Sequence, residues 1–77
     1  MSMKAIVWSK PNCPQCEIAK TILNNNGFQI ETRVVGNGFW TKEMLLEAVP
    51  TARSVPQIFI ENHYVGGLTE LKNKFKG

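Results

Sequence analysis

The stretch that decides the fold is Ala5-Ile6-Val7-Trp8-Ser9-Lys10-Pro11-Asn12-Cys13-Pro14-Gln15-Cys16. Its first four residues are apolar, which is typical of a short buried strand. The polar residues after them end this strand, and Pro14 suits the first position of a helix because it has no N–H to lose. We therefore predict a strand, a short loop and a helix that begins beside Cys13.

The residues after Pro14 are predicted to form this helix and then a second strand. Apolar side chains recur at helical spacing, and Gly27 is a typical helix stop. The predicted inward face of the helix comprises Ile18, Ala19, Ile22 and Leu23. From residue 28 the apolar period changes to two, which indicates a strand. Its alternating residues are Phe28, Ile30, Thr32 and Val34, before the break at Gly36-Asn37-Gly38.

The second half of the chain holds another helix, a hairpin and a last helix. Thr41 is a suitable N-cap for a helix that Pro50 ends. The predicted inward face of that helix comprises Met44, Leu45, Ala48 and Val49. Residues 57–60 and 64–65 are predicted strands on either side of a turn at 61–63. Gly66-Gly67 then precedes the last helix, whose predicted inward residues are Leu68, Leu71 and Phe75.

The order of elements is therefore β-α-β-α-β-β-α, an α/β arrangement in one domain of residues 1–77. A strand–helix–strand start implies parallel pairing with a right-handed crossover, whereas the closing hairpin is antiparallel. We expect a mixed four-stranded sheet flanked by three helices. The aromatic residues assigned to its core are Trp8, Phe28, Phe59 and Phe75. For Trp40 two interpretations stay open: it seats the second helix, or it is an exposed contact for a partner protein.

Composition and charge narrow the function classes. The chain has 77 residues, a net charge of +3 and 19% charged residues, which is ordinary for a folded globular protein. Its Lys and Arg residues are scattered without a basic run, so nucleic acid is not an expected partner. The N-terminal residues fit neither a signal peptide nor a membrane span, so we expect a cytoplasmic protein without a membrane partner. In a reducing compartment, we expect two cysteines to be catalytic or metal-binding rather than to form a structural disulfide.

Cys13-Pro14-Gln15-Cys16 places two thiols at the start of the first helix. Unpaired N–H groups and the helix dipole favour a negative charge there, which lowers the pKa of a cysteine thiol below its usual range. Cys16 lies one turn further along nearly the same face. Cys13 is therefore predicted to attack a disulfide, and Cys16 to release the reduced substrate from the mixed disulfide.

A metal site is the alternative interpretation of a Cys-x-x-Cys pair. A structural zinc site needs four ligands, and the chain has two cysteines and one histidine. The histidine, His63, follows far along the chain in a predicted turn, and we assign it to the surface. No metal is therefore expected.

Three motifs resemble those of the glutaredoxin family, in the same order along the chain. Lys10-Pro11-Asn12-Cys13-Pro14-Gln15-Cys16 is similar to the family's Lys-x-x-Cys-Pro-Tyr-Cys. Arg53-Ser54-Val55-Pro56-Gln57-Ile58-Phe59-Ile60 is similar to its Arg-Thr-Val-Pro segment and the strand after it. Gly66-Gly67-Leu68-Thr69-Glu70-Leu71 is similar to Gly-Gly-Cys-Thr/Ser-Asp-Leu. The resemblance covers nearly the whole chain.

The resemblance implies a thioredoxin-like fold and a redox-active Cys13/Cys16 dithiol. The residues expected to support the cysteines are Pro14, Gln15 and Pro56. We expect the protein to act as a monomer on protein disulfides.

The resemblance also implies glutathione as reductant and co-substrate. Lys10 and Arg53 would face its glycine carboxylate, a role that suits positive charge. The Val55–Pro56 bond is expected to be cis, which would turn the Val55 backbone toward the cysteinyl unit of the ligand. Glu70 would take the γ-glutamyl ammonium group. The residues expected around the γ-glutamyl end are Gly67, Thr69 and Glu70.

The sequence departs from the family pattern at three positions. Gln15 replaces the usual tyrosine, which removes an aromatic wall beside the reactive sulfur. Glu70 replaces the usual aspartate and is one methylene longer. Leu68 stands where many glutaredoxins have an additional cysteine. None of these changes removes the thiol chemistry.

Three functions stay open. The leading prediction is a glutathione-dependent enzyme that reduces protein disulfides and glutathione mixed disulfides, with ribonucleotide reductase as a candidate substrate. The second is a glutaredoxin-like electron donor to ribonucleotide reductase that thioredoxin reductase reduces, and Gln15 favours it by resemblance. The third is an iron–sulfur carrier, in which two subunits share a cluster through Cys13 and two glutathiones. Pro14 disfavours the third function by resemblance.

Overall fold

The predicted order of elements, β-α-β-α-β-β-α, is confirmed by the computed structural model, which describes residues 3–76. The strands are β1 (Met3–Ser9), β2 (Phe28–Val34), β3 (Gln57–Ile60) and β4 (His63–Gly66). The helices are α1 (Pro14–Asn25), α2 (Lys42–Ala48) and α3 (Leu68–Lys74). Among residues 3–76, no helix is long and apolar enough to cross a bilayer.

The four strands form one mixed sheet in the order β2-β1-β3-β4. β1 runs parallel to β2 and antiparallel to β3, and β3 runs antiparallel to β4. Trp8, near the end of β1, pairs with Arg33 on one side and with Gln57 on the other. The end of β1 therefore lies beside the end of β2 and the start of β3. This pairing brings three loops together at one edge of the sheet: residues 10–13, 35–41 and 49–56.

Two apolar clusters cover the two faces of the sheet, because successive side chains of a strand point to opposite faces. On β1, Ala5 and Val7 join the larger cluster with α1 and α3, whereas Trp8 joins the smaller cluster with α2. The buried residues of the larger cluster are Ala5, Val7, Ala19, Leu23, Phe28, Ile58, Ile60 and Leu71. Those of the smaller cluster are Trp8, Leu45 and Val49.

The predicted inward faces of the first two helices are partly wrong. Ile18 is 44% exposed, and the buried residues of α1 are Cys16, Ala19 and Leu23. On α2, Met44 and Ala48 are exposed, while Leu45 and Val49 are buried. In both helices the apolar stripe is wider than the part that contacts the sheet. The hairpin also differs slightly, since β4 begins at His63 and the turn is reduced to Glu61 and Asn62.

Trp40 packs against the sheet and α2, which favours the first of its two interpretations. Its ring meets Trp8 edge to face at a centroid distance of 5.4 Å. The Arg33 guanidinium lies 4.4 Å from the Trp40 ring and 5.1 Å from the Trp8 ring. Such cation–π contacts stabilise the cluster. The neighbouring Phe39 is 66% exposed. Of the other core aromatics, Trp8 and Phe28 are buried, and Phe59 and Phe75 are half-buried.

Candidate active site

Cys13 and Cys16 form a disulfide at the point where β1 leads into α1. Cys13 is the N-cap residue of α1 and has an extended backbone conformation. Its Sγ accepts a hydrogen bond from the backbone N–H of Cys16 at 3.2 Å. Pro14 occupies the first turn of the helix, where its missing N–H costs nothing. The N-cap sulfur therefore receives one of the N–H groups that a helix start leaves unpaired.

The two cysteine residues differ slightly in exposure to solvent. Cys13 is 4% exposed, whereas Cys16 is 0% exposed and belongs to the buried face of α1. An incoming thiolate therefore reaches Cys13 before Cys16. Asn12 has a φ of 56°, in the left-handed region that asparagine tolerates, at the turn between Lys10 and Cys13.

A groove of about 650 Å³ lies next to the disulfide, and we call it the redox groove. It is lined by Gln15 between the two cysteines, by the 54–57 segment and by the β4–α3 junction. The sequence-predicted residues that line it are Lys10, Gln15, Val55, Pro56, Gly67, Thr69 and Glu70. The tertiary structure thus places residues from all three motifs around one groove.

Arg53 lies on a different groove, of about 700 Å³, which we call the basic groove. Lys10, Ser54 and Val55 line both grooves, so the two are adjacent at these residues. The residues that line the basic groove are Lys10, Val35, Lys42, Leu45, Leu46, Ala52, Arg53, Ser54 and Val55. Lys10 and Arg53 therefore line one groove, which Lys42 also lines.

The Val55–Pro56 peptide bond is cis, as the resemblance predicts. The loop before it is tied to the sheet by two hydrogen bonds. The Gln57 Nε2 donates to the Ser54 carbonyl at 2.8 Å, and the Tyr64 Oη donates to the Gln57 Oε1 at 2.6 Å. Sequence reasoning missed both Gln57 and Tyr64. One feature of the sequence could have indicated them: Gln57 is a polar residue at the start of an otherwise apolar strand. A buried polar side chain requires hydrogen-bond partners.

Gly66 and Gly67 carry the chain from β4 into α3 beside Glu70. The Gly67 N–H donates to the Glu70 Oε1 at 2.8 Å, so this carboxylate caps α3. Gly66 has a φ of 124°, and a Cβ there would stand 2.8 Å from the Glu70 Cγ. Partial burial raises the pKa of Tyr64 above its ordinary value, and the negative charge of Glu70 raises it further. The sequence did not predict this capping role of Glu70.

Within residues 3–76, the His, Cys, Asp and Glu side chains form no group of three or more able to hold a metal ion.

Known proteins that are similar to this chain in sequence or structure include several glutaredoxins. The chain is 35% identical to Glutaredoxin 3 of Escherichia coli over 66 residues, which are 84% of this chain and 77% of that protein. It is 32% identical over 69 residues to the Hybrid peroxiredoxin hyPrx5 of Haemophilus influenzae, covering 90% of this chain and 28% of that protein. Among solved structures, the buckwheat glutaredoxin–glutathione complex has a TM-score of 0.76 and 25% identity. That match covers 94% of this chain and 67% of the buckwheat chain.

The Glutaredoxin family model matches residues 5–65, which include the cysteine pair, the cis-proline loop and most of β4. This range is more than half of the chain. The chain therefore belongs to the glutaredoxin family of thiol–disulfide oxidoreductases.

Proposed function

We propose that this protein is a dithiol glutaredoxin that uses glutathione to reduce protein disulfides and glutathione mixed disulfides. The observation that carries the proposal is the redox groove beside the Cys13–Cys16 disulfide. Its lining includes a cation, Lys10, the Val55 segment beside the cis peptide bond, and a carboxylate, Glu70. Glutathione carries groups that complement these three: a glycine carboxylate, a cysteinyl unit and a γ-glutamyl ammonium.

The complementary charges support an orientation for glutathione. Lys10 and Arg53 would bind its glycine carboxylate, because a charge-assisted hydrogen bond is stronger than a neutral one. The cysteinyl unit would pair with the Val55 backbone, which brings its sulfur toward Cys13. The γ-glutamyl group would lie against Gly67, Thr69 and Glu70. The buckwheat glutaredoxin–glutathione complex supports the same class of ligand for this fold.

The proposed reaction is two successive thiol–disulfide exchanges. The Cys13 thiolate attacks one sulfur of a substrate disulfide, and the other sulfur leaves as a thiolate. For a protein disulfide, the Cys16 thiolate then attacks the Cys13 sulfur, which releases the second substrate thiolate. The substrate gains two electrons, and the enzyme is left with the Cys13–Cys16 disulfide.

Two glutathione molecules then restore the dithiol. The first glutathione thiolate attacks the Cys13 sulfur and releases Cys16. The second attacks the sulfur of the bound glutathione and leaves as glutathione disulfide, with Cys13 again a thiolate. For a glutathione mixed disulfide, Cys13 alone suffices, since it takes the glutathionyl group and passes it to a second glutathione.

We further infer that the chain works as one monomeric domain in the cytoplasm. A reducing compartment keeps a glutathione pool available and leaves structural disulfides rare. Protein disulfides are then the substrates that such a dithiol would meet.

The test is NADPH consumption with a small glutathione mixed disulfide as substrate. One reaction contains glutathione and glutathione reductase, and the other contains thioredoxin reductase. The proposal expects turnover in the first reaction only, and none when the Cys13→Ser variant replaces the protein. Turnover only with thioredoxin reductase would leave the dithiol chemistry intact but would contradict the glutathione site.

A further inference from the structure

The basic groove carries more positive charge than glutathione needs. Lys10, Lys42 and Arg53 line it, and none of the described residues that line it is acidic. The two ion pairs within residues 3–76 are Glu17–Lys20 and Glu31–Arg33. Among residues 3–76, therefore, no carboxylate lies within salt-bridge distance of the three cations of the groove. The single glycine carboxylate of glutathione would neutralise only one of them.

Part of the lining of the basic groove is apolar. Val35, Leu46 and Val55 line it and are half-buried. Polar backbone or a charged side chain alone would leave this surface exposed to water. An apolar side chain bound between the three cations would cover it and gain the free energy of burial.

The basic groove is adjacent to the redox groove, because Lys10, Ser54 and Val55 line both. In the proposed orientation, the glycine end of glutathione points from Val55 toward Lys10 and Arg53. A protein substrate bound in the same orientation has further residues where glutathione ends. Those residues, which follow its reactive cysteine, would enter the basic groove.

We propose that the basic groove binds an acidic segment with an apolar residue, directly after the reactive cysteine of protein disulfide substrates. This inference rests on the proposed function and adds the substrate class. Carboxylates of the segment face Lys10, Lys42 and Arg53, and its apolar side chain covers Val35 and Leu46. Charge complementarity of this kind raises the association rate and selects among partners.

The test compares disulfide-linked peptide dimers that differ only in charge. In one, each cysteine is followed by Glu-Leu-Glu with an amidated end, and in the other by Gln-Leu-Gln. The pre-reduced protein is mixed with each dimer, and the rate constant of Cys13–Cys16 oxidation is followed by tryptophan fluorescence. At low salt the acidic dimer is expected to react about fivefold faster. At about 1 M salt, where the Debye length is about 3 Å, the ratio should fall toward one.

The Lys42→Gln variant tests whether the basic groove causes the difference in rate between the two dimers. Lys72→Gln is its matched control. Lys72 is an exposed lysine of α3 that lines neither groove. Lys42→Gln should reduce the acidic-to-neutral rate ratio to about twofold, whereas Lys72→Gln should keep the wild-type ratio. A variant that is merely misfolded would slow both dimers equally and leave the ratio unchanged.

The outcomes separate this inference from the proposed function. The two dimers could react at equal rates at low salt while the protein still turns over the small glutathione mixed disulfide. That result would contradict the preference for an acidic segment and leave the proposed function intact. If Lys42→Gln and Lys72→Gln lower the acidic-to-neutral rate ratio equally, the effect comes from overall charge. That result would contradict binding of the segment in the basic groove. Failure to turn over the small mixed disulfide would overturn the proposed function, and this inference with it.

Discussion

The Tyr64 hydroxyl on β4 donates a hydrogen bond of 2.6 Å to the side-chain carbonyl of Gln57 at the start of β3. The amide nitrogen of Gln57 in turn donates to the Ser54 carbonyl at 2.8 Å. The two bonds connect β4 to the loop that precedes the cis Val55–Pro56 bond. Gln57 is only 7% exposed, so the loss of either partner leaves a buried amide group unsatisfied.

Removing the Tyr64 hydroxyl is expected to loosen this loop. Tyr64→Phe keeps the ring contact with Phe59 but removes the bond to Gln57. The free energy of unfolding should fall by about 1 kcal/mol. The KM for a small glutathione mixed disulfide should rise with little change in kcat, because Val55 is less well held while Cys13 is untouched. Urea unfolding and steady-state kinetics measure the two effects.

Thr21→Val is the control for Tyr64→Phe. It removes another hydroxyl hydrogen bond, from Thr21 Oγ1 to the Glu17 carbonyl at 3.0 Å, on the exposed side of α1. Its KM should equal that of the wild type. If Tyr64→Phe also keeps the wild-type KM, the hydrogen-bond chain has no role in holding the ligand.

Tyr64 is the only tyrosine of the chain, so its ionisation can be followed by tyrosinate absorbance. Partial burial and then the charge of Glu70 raise its pKa above 10.0, so the absorbance midpoint should lie above that pH in the folded protein. Glu70→Gln should lower the midpoint part of the way. A midpoint that is the same in the folded and the denatured protein would contradict this environment.

The raised pKa of Tyr64 also implies a pH dependence of stability. The folded protein holds this proton more tightly than the unfolded chain, so its contribution is fully present below about pH 10. It is lost as the pH rises from there through the folded pKa. The free energy of unfolding should therefore decline more steeply above about pH 10 in the wild type than in Tyr64→Phe. Parallel curves would show that Tyr64 contributes nothing.

The two cysteines are expected to differ in the reactions that need them. Cys13→Ser should abolish all reduction, because Cys13 is the sulfur that a substrate can reach. Cys16→Ser should retain the reduction of glutathione mixed disulfides and lose that of protein disulfides, since only the second needs a resolving thiol. Assays of both reactions in both variants check this division. An equal loss in the two variants would contradict it.

Gly66 and Gly67 form a matched pair at the end of the redox groove. Gly66→Ala should lower the free energy of unfolding by about 1–2 kcal/mol, because its φ is positive and the new Cβ meets Glu70. A Cβ at Gly67 stands 3.4 Å from the Pro56 carbonyl, and its φ is negative. Gly67→Ala should therefore cost less than Gly66→Ala, about 0.5–1 kcal/mol, because alanine is a poorer helix N-cap than glycine.

The Gly67→Ala methyl would stand in the redox groove, between Pro56 and Glu70. The KM for the glutathione mixed disulfide should rise, although the variant remains folded. A KM equal to that of the wild type would contradict the proposal that the γ-glutamyl group lies against Gly67.

Local signals made much of the fold predictable. Pro14 begins α1, and the Thr41 hydroxyl accepts from the Met44 N–H at 3.1 Å as the N-cap of α2. The strand bounds at residues 28–34 and 57–60 agree with the predicted ones, because alternation and flanking turns are properties of neighbouring residues. The errors at Ile18 and Met44 have the opposite cause. Which part of an apolar stripe is covered depends on the element packed against it.

The candidate site likewise has a part that the sequence predicted and a part that it did not. Motifs and resemblance singled out seven of the residues that line the redox groove, including Val55 and Glu70. They did not reveal the hydrogen bond between Tyr64 and Gln57, since the two lie on different strands with an irregular register between them. Nor did they reveal that Lys42 joins Lys10 and Arg53 in one groove.

By itself, the sequence determined the order of the elements and the position of Cys13 at a strand–helix junction, because both depend on residues close together in the chain. The tertiary structure alone decided which distant segments face that cysteine. The end of β1 pairs with the start of β3 through Trp8 and Gln57. That pairing carries the Val55 loop and the β4–α3 junction to the same sheet edge as the cysteines. Such contacts depend on strand register, and register is set by burial across the whole sheet.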